Sequence, residues 1–214
     1  METLPQSAKN IIKALQEKKE IQNKTLVDIV KNSGIAEKEY DCFAKFDHCK
    51  TESYGRNTIF QGKNFGIYIM SWSPGDFTAV HSHGHSEWGV VYFFGNADHR
   101  TYSVEANKIE LMTSEIIKKG TIAPVCGDLV HAMGNLSDQV FITLHIYGSN
   151  NYIGSVTEDS KVYEIEKDRI RTTFGPAFIN IADNLCKKDV QSLNTDERTR
   201  NDHSSLIKQF YQQN

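Results

Sequence analysis

The chain lacks the features that would place it in several large protein classes. It has no run of about 18 consecutive apolar residues, the length that crosses a bilayer, so no membrane span is expected. It has no basic stripe, and its formal net charge is −3, which argues against nucleic acid as a partner. The opening METLPQSAKNIIKALQEKKE spaces its charges throughout and has no apolar region of the kind a secretory leader needs. Cysteine is scarce, with 4 in 214 residues, and Cys42, Cys49, Cys126 and Cys186 form no CxxC pair. They are read as reduced thiols rather than a disulfide framework, and the expected address is cytoplasmic. Internal repeats and low-complexity tracts are absent, and the length suits a single domain with its own core.

What is present falls into three parts. Residues 1–50 are expected to be helical. Ser7 is placed to cap AKNIIKALQEKK, in which Ile11, Ile12 and Leu15 fall at helical spacing. TLVDIVKN repeats the pattern from Thr25, and Gly34 stands where a helix would end. Neither segment carries a catalytic constellation, so both are read as helices packed on one side of a sheet. Residues 51–172 are expected to be strands. FGIYIMSW (65–72) alternates and is rich in β-formers, and SPGD (73–76) is turn chemistry. TAVHSH, WGVVYFF, HRTYSVE, KIELMT, TIAPVC and QVFITLHIY follow, divided by Gly, Asn, Asp or Pro at intervals of about 8–12 residues, which predicts an antiparallel sandwich or barrel. No long helical pattern interrupts them, which argues against a parallel α/β sheet. The strands become less regular in KVYEIEKDRIRTTF. Residues 173–214 read as helix, polar loop and helix, a helical extension that would cap the barrel or make a dimer contact.

The segment HSHGHSEWG (81–89) concentrates residues able to hold a metal. On a strand, residues two apart share a face, so His81 and His83 aim together into the barrel. Gly75 precedes them, Glu87 and Gly95 follow, and PVCGDLVHAMGN offers Pro124, Gly127, His131 and Asn135. These two stretches resemble the signatures of the cupin superfamily, G-x5-H-x-H-x(3,4)-E-x6-G and P-x-G-x2-H-x3-N. They differ by one extra residue before Gly95 and one on each side of Gly127. The resemblance implies a mainly β fold, a cupin-type antiparallel β-barrel (double-stranded β-helix or jelly roll) with N-terminal and C-terminal helices. It also implies a metal shared by His81, His83 and His131. Glu87 fits the position of the glutamate that serves most cupins as a fourth ligand. His85, in the turn between Gly84 and Ser86, is expected to face solvent.

Three stretches together narrow the match: YGRNTIFQG (54–62), HSHGHSEWGVVYFFG (81–95) and GDLVHAMGNLSDQVFITLHIY (127–147). They resemble the cysteine dioxygenase family of thiol dioxygenases, in its bacterial branch. The resemblance implies Fe(II) held by His81, His83 and His131 as a neutral facial triad, with a small thiol and O2 as reactants, L-cysteine as the leading thiol and a sulfinic acid as product. It implies that Arg56 clamps the substrate carboxylate, through a bidentate fork that lysine could not offer. It places Tyr54 beside the substrate amine, His145 and Tyr147 in the outer sphere, and Thr143 where the family has a serine bonded to that histidine. Thr143, His145 and Tyr147 alternate and so share one face of their strand.

The chain departs from the family at three points. Counting from His83, the family's cross-linking cysteine (glycine in bacterial relatives) falls at Trp88, so no thioether to Tyr147 is expected there. That indole either narrows the pocket or turns away into the sheet. Glu87 sits next to it, and as a ligand it would add negative charge and occupy an open metal position. Gly148-Ser149-Asn150 replaces the family's usual Ser-Pro-Pro. Two other readings therefore stand beside the first. One is a cupin enzyme with a three-His-one-Glu site holding Mn, Ni, Zn or Fe, an isomerase or a dioxygenase of a non-thiol substrate. The other is a non-catalytic small-molecule-binding cupin. A monomer or a homodimer is expected.

Overall fold

The computed structural model describes residues 3–49 and 51–213. Helix α1 is Gln6–Gln16, with Ala8, Ile11, Ile12 and Leu15 buried at helical spacing. Ser7 is not its cap. Pro5, whose fixed φ suits a helix start, stands there, and the Ser7 hydroxyl lies 2.6 Å from Glu39 Oε2 and 2.8 Å from Tyr40 Oη. Helix α2 is Asn23–Lys31, and it buries Leu26 and Val30.

Thirteen strands follow among the described residues. They are β1 Gly55–Gln61, β2 Phe65–Trp72, β3 Val80–His81, β4 Trp88–Phe93, β5 Ala97–Glu105, β6 Lys108–Ile117, β7 Ile122–Cys126, β8 Val130–Gly134, β9 Phe141–Gly148, β10 Ser160–Glu164, β11 Arg169–Thr173, β12 Cys186–Ser192 and β13 Asn194–Thr195. Helix α3, Glu197–Gln213, follows β13. A five-stranded sheet runs β1-β2-β9-β4-β7 and an eight-stranded sheet runs β12-β11-β10-β3-β8-β5-β6-β13. Neighbouring strands are antiparallel except for β13 on β6. The two sheets form a cupin-type barrel, mainly β, with helices at both ends of the sequence. No described helix is long and apolar enough to cross a membrane.

Strand alternation sorts side chains into separate cores. Ile67, Ile69, Val90, Ile142, Leu144 and Ile146 leave the five-stranded sheet on its outer face and pack against Ile11, Leu15, Leu26 and Val30 of the helices. Tyr68, Met70, Trp72, Val91, Phe93, Phe141 and Tyr147 point the other way, into the barrel. Both faces of β2 and β9 are therefore covered, and every residue of these two strands is buried. Trp88 belongs to the outer face, where it packs on Phe65 and the helical layer. Of the two expectations for its indole, the structure selects packing in the sheet.

The C-terminal part differs from its expectation. Residues 186–192 form β12 on the edge of β11, and one helix follows instead of two. The apolar spacing of PAFINIADNLC serves an extended segment, because Ala177, Phe178, Ile181 and Cys186 enter the barrel core.

Candidate active site

His81 on β3 and His131 on β8 are cross-strand partners, so their side chains leave the same face of the sheet. The expected strand through His83 stops at His81. His83 is aimed by a different contact, its Nδ1 lying 3.2 Å from Leu129 O. The ligand nitrogens of His81, His83 and His131 lie within 4.8 Å of one another, deep in the barrel. His81 Nδ1 lies 2.9 Å from Ala79 O. A carbonyl only accepts, so both Nδ1 atoms carry their hydrogens, and each Nε2 lone pair is left for the interior. His83 Nε2 is buried without a hydrogen-bond partner. A buried acceptor with no protein partner, beside two more imidazoles, fits a set of donors built to hold a metal.

Burial keeps these rings neutral, as metal ligation requires. It pulls His81 down to about 4 and His83 down to about 3, and it holds His131 well below the ordinary histidine value. His131 differs from the other two on its far side. Its Nδ1 meets His99 Nε2 at 2.9 Å, and His99 Nδ1 faces Glu115 Oε1 at 3.8 Å. His131 is thus backed by a second imidazole, and a hydrogen-bond partner on the far ring nitrogen is what orients a metal-bound histidine.

Glu87 does not join the cluster. It is exposed, and its carboxylate accepts hydrogen bonds from the Asn150 backbone N–H at 2.7 Å and from Asn151 Nδ2 at 2.8 Å. The Asn151 contact, ahead of the others, holds its pKa below the ordinary value. The suggested fourth ligand is turned outward because the chain reverses before β4. Gly84 has φ +60, and a side chain there would run into Glu158 O. His85 is only half exposed. It stacks on Tyr152 at 3.8 Å and contacts Asp159 Oδ2 at 3.0 Å, so it ties the turn to the loop before β10.

A second wall faces the histidines. Thr143, His145 and Tyr147 share the inner face of β9, with Thr143 Oγ1 2.7 Å from His145 Nε2 and His145 Nδ1 2.7 Å from Tyr147 Oη. The Tyr147 ring centre lies 5.2 Å from that of His83. Burial raises the Tyr147 phenol pKa and keeps His145 neutral. The residue of β4 paired with Tyr147 is Gly89, and a Cβ there would sit 2.6 Å from Tyr147 Cδ1. The position beside the tyrosine is thus glycine, one residue further on than the count from His83 to Trp88 gave.

Arg56 on β1 lies over the Tyr68 ring at 4.7 Å, and its Nη2 is 3.4 Å from Thr157 Oγ1. Its Nε is buried without a partner. Tyr54 is stacked on Trp72 with ring centres 5.2 Å apart, lies against Phe178 at 5.0 Å, and accepts a hydrogen bond from Ala177 N–H at 3.2 Å. Thr157, Ala177 and Phe178 had no signal in the sequence, since nothing marks a threonine or an alanine that closes on a site from a distant loop. His99 and Gly89 were equally unmarked.

A family model for cysteine dioxygenase type I matches residues 2–151. That range holds Tyr54, Arg56, the three clustered histidines, Thr143, His145 and Tyr147, while Thr157, Ala177 and Phe178 lie beyond it. Among solved structures, similarity extends to an uncharacterized conserved protein with a double-stranded β-helix domain from Klebsiella pneumoniae, at 18% identity and TM-score 0.42 over 56% of this chain and 95% of that one. It extends also to Lactobacillus farciminis oxalate decarboxylase, at 18% identity and TM-score 0.41 over 52% of this chain and 33% of that one. An RmlC-like cupin protein from Desulfovibrio desulfuricans matches at 15% identity and TM-score 0.37, over 49% and 88% of the two chains.

Proposed function

The chain belongs to the cysteine dioxygenase type I family, and from that premise we propose that it is an Fe(II)-dependent thiol dioxygenase. Its substrate is a small thiol, L-cysteine first among them, oxidised with O2 to the sulfinic acid. The observation that carries this reading is the composition of the convergent group, three neutral imidazoles with no carboxylate. Such a set leaves both charges of a divalent ion to be balanced by substrate, and it leaves positions open for a thiol and dioxygen. A three-His-one-Glu site needs the Glu87 carboxylate, which is held outward by Asn150 and Asn151.

Iron bound by His81, His83 and His131 would supply deprotonation of the thiol and activation of dioxygen. The reaction, RSH + O2 → RSO2H, balances without an external reductant: sulfur is oxidised and both oxygen atoms are reduced. Arg56 binds the carboxylate with donors that include its unpartnered Nε, and Thr157 steadies the guanidinium from the other side. Tyr54, fixed by Trp72, Phe178 and the Ala177 N–H, lines the place for the substrate amine. His145 orients the Tyr147 hydroxyl toward the reacting groups.

The test is oxygen consumption by iron-loaded protein with L-cysteine, 3-mercaptopropionate and cysteamine in turn. Thiol-dependent uptake with sulfinate formation is expected, strongest with L-cysteine. Absence of uptake with all three overturns the proposal.

A further inference from the structure

The hydrogen bonds behind Tyr147 have a direction, and it originates one residue deeper than the alternating stripe on β9. Trp72 Nε1 lies 2.9 Å from Thr143 Oγ1. An indole N–H donates and never accepts, so Thr143 Oγ1 is an acceptor in this contact. The indole plane is held by the stacked rings of Tyr54 and Phe141, and the N–H is spent on Thr143.

Thr143 is fully buried, and His145 Nε2, at 2.7 Å, is the acceptor within reach of its hydroxyl hydrogen among the described hydrogen bonds. Were His145 Nε2 itself protonated, Thr143 would accept twice and its own O–H would be stranded in the core, the expensive way to bury a hydroxyl. With Thr143 donating, a neutral His145 carries its hydrogen on Nδ1 and gives it to Tyr147 Oη, 2.7 Å away. Tyr147 is then an acceptor toward His145, which leaves its own O–H to donate elsewhere, on a ring whose centre lies 5.2 Å from that of His83.

We infer that Trp72 is a positioning residue that polarises the series Trp72 → Thr143 → His145 → Tyr147, so that Tyr147 enters the site as a hydrogen-bond donor. The group it serves is one that presents an oxygen lone pair, as a reacting oxygen or a sulfinate does. That last identification rests on the proposed thiol dioxygenation; the direction of the hydrogen bonds does not.

The experiment reads the tautomer of His145 directly, by long-range 1H–15N correlation on metal-free full-length protein labelled with 15N-histidine. Neither thiol nor dioxygen takes part, so failure here is distinct from failure of the assigned reaction. In the wild type the Nδ1–H form of His145 is expected, together with slow solvent exchange of the Trp72 indole N–H. In Trp72→Phe, which keeps a ring but loses the donor, the Nε2–H form becomes populated, and Thr143→Ser leaves the Nδ1–H form in place. An Nε2–H imidazole in the wild type overturns the inference whether or not the variants fold. So does a folded Trp72→Phe protein that keeps only the Nδ1–H form.

Discussion

Trp88 and Gly89 are neighbours in sequence with opposite duties, and substituting each to alanine should separate them. A Cβ at Gly89 would stand 2.6 Å from Tyr147 Cδ1 and 2.9 Å from Ile146 O. Carbon atoms in contact sit about 3.5–4.0 Å apart, so the Tyr147 ring must retreat by about 1 Å. The retreat lengthens the 2.7 Å bond to His145 toward the limit at which hydrogen bonds fail. Misplacing a reacting group by about 1 Å costs on the order of 100-fold in rate. Gly89→Ala should therefore lower thiol-dependent oxygen uptake roughly 100-fold, with stability reduced by about 1–3 kcal/mol from overpacking. Trp88→Ala removes an indole that is 3% exposed and packed against the helical layer. It should cost about 3–5 kcal/mol of stability, read from urea denaturation, while the folded fraction at low temperature keeps wild-type turnover. A folded Gly89→Ala protein with full activity would refute the placement of Tyr147. A Trp88→Ala protein that is stable but inactive would refute the assignment of Trp88 to the outer core.

Three further outcomes follow from the same geometry. Arg56→Lys removes the fork and the buried Nε, and should raise KM for L-cysteine by roughly 10- to 100-fold, the worth of a charged hydrogen bond or two. KM for cysteamine, which has no carboxylate, should stay unchanged, and an equal effect on both thiols contradicts the clamp. Glu87→Gln should retain metal at the wild-type stoichiometry in elemental analysis, while His81→Ala should lose it; loss of metal from Glu87→Gln would revive a four-ligand site. The metal-free protein should lose stability as pH falls from about 6.5, because the unfolded chain protonates His81 and His83 there while the folded chain waits until about 4 and about 3. The slope approaches about 1.4 kcal/mol per pH unit for each histidine. His48, raised by its hydrogen bond to Asp76, opposes this: its contribution is full below the ordinary histidine value and fades as pH rises through the raised one. Urea midpoints at pH 7 and pH 5.5 check the net sign, and a midpoint that rises on acidification contradicts it.

The parts of the molecule legible in the sequence are those in which local pattern and burial agree. FGIYIMSW forms a strand over the residues that alternate, because helices cover one face of it and the barrel interior the other. His81, His83 and His131 could be found together because a histidine pair two apart at a strand end, followed by a third histidine in a second signature stretch, is visible in the sequence. The face occupied by residue 88 could not be counted out. One residue more or less in the turn at Gly84 inverts every side chain of the next strand, and only the register Gly89↔Tyr147 settles which residue looks inward. Thr157 lies 101 residues from Arg56, and its hydroxyl reaches the guanidinium through a loop whose path no periodicity records. PAFINIADNLC carries apolar residues at helix-like intervals, yet an extended chain can bury Ala177, Phe178 and Ile181 just as well when the barrel end is there to receive them.

The proposed thiol dioxygenation rests on three neutral histidines, an arginine clamp and a tyrosine. Its most direct test is the product formed by iron-loaded protein from L-cysteine under 18O2, analysed by mass spectrometry. Cysteine sulfinate carrying two labelled oxygen atoms is expected, with one O2 consumed per thiol. Disulfide as the sole product, or a sulfinate with one oxygen drawn from water, would contradict it.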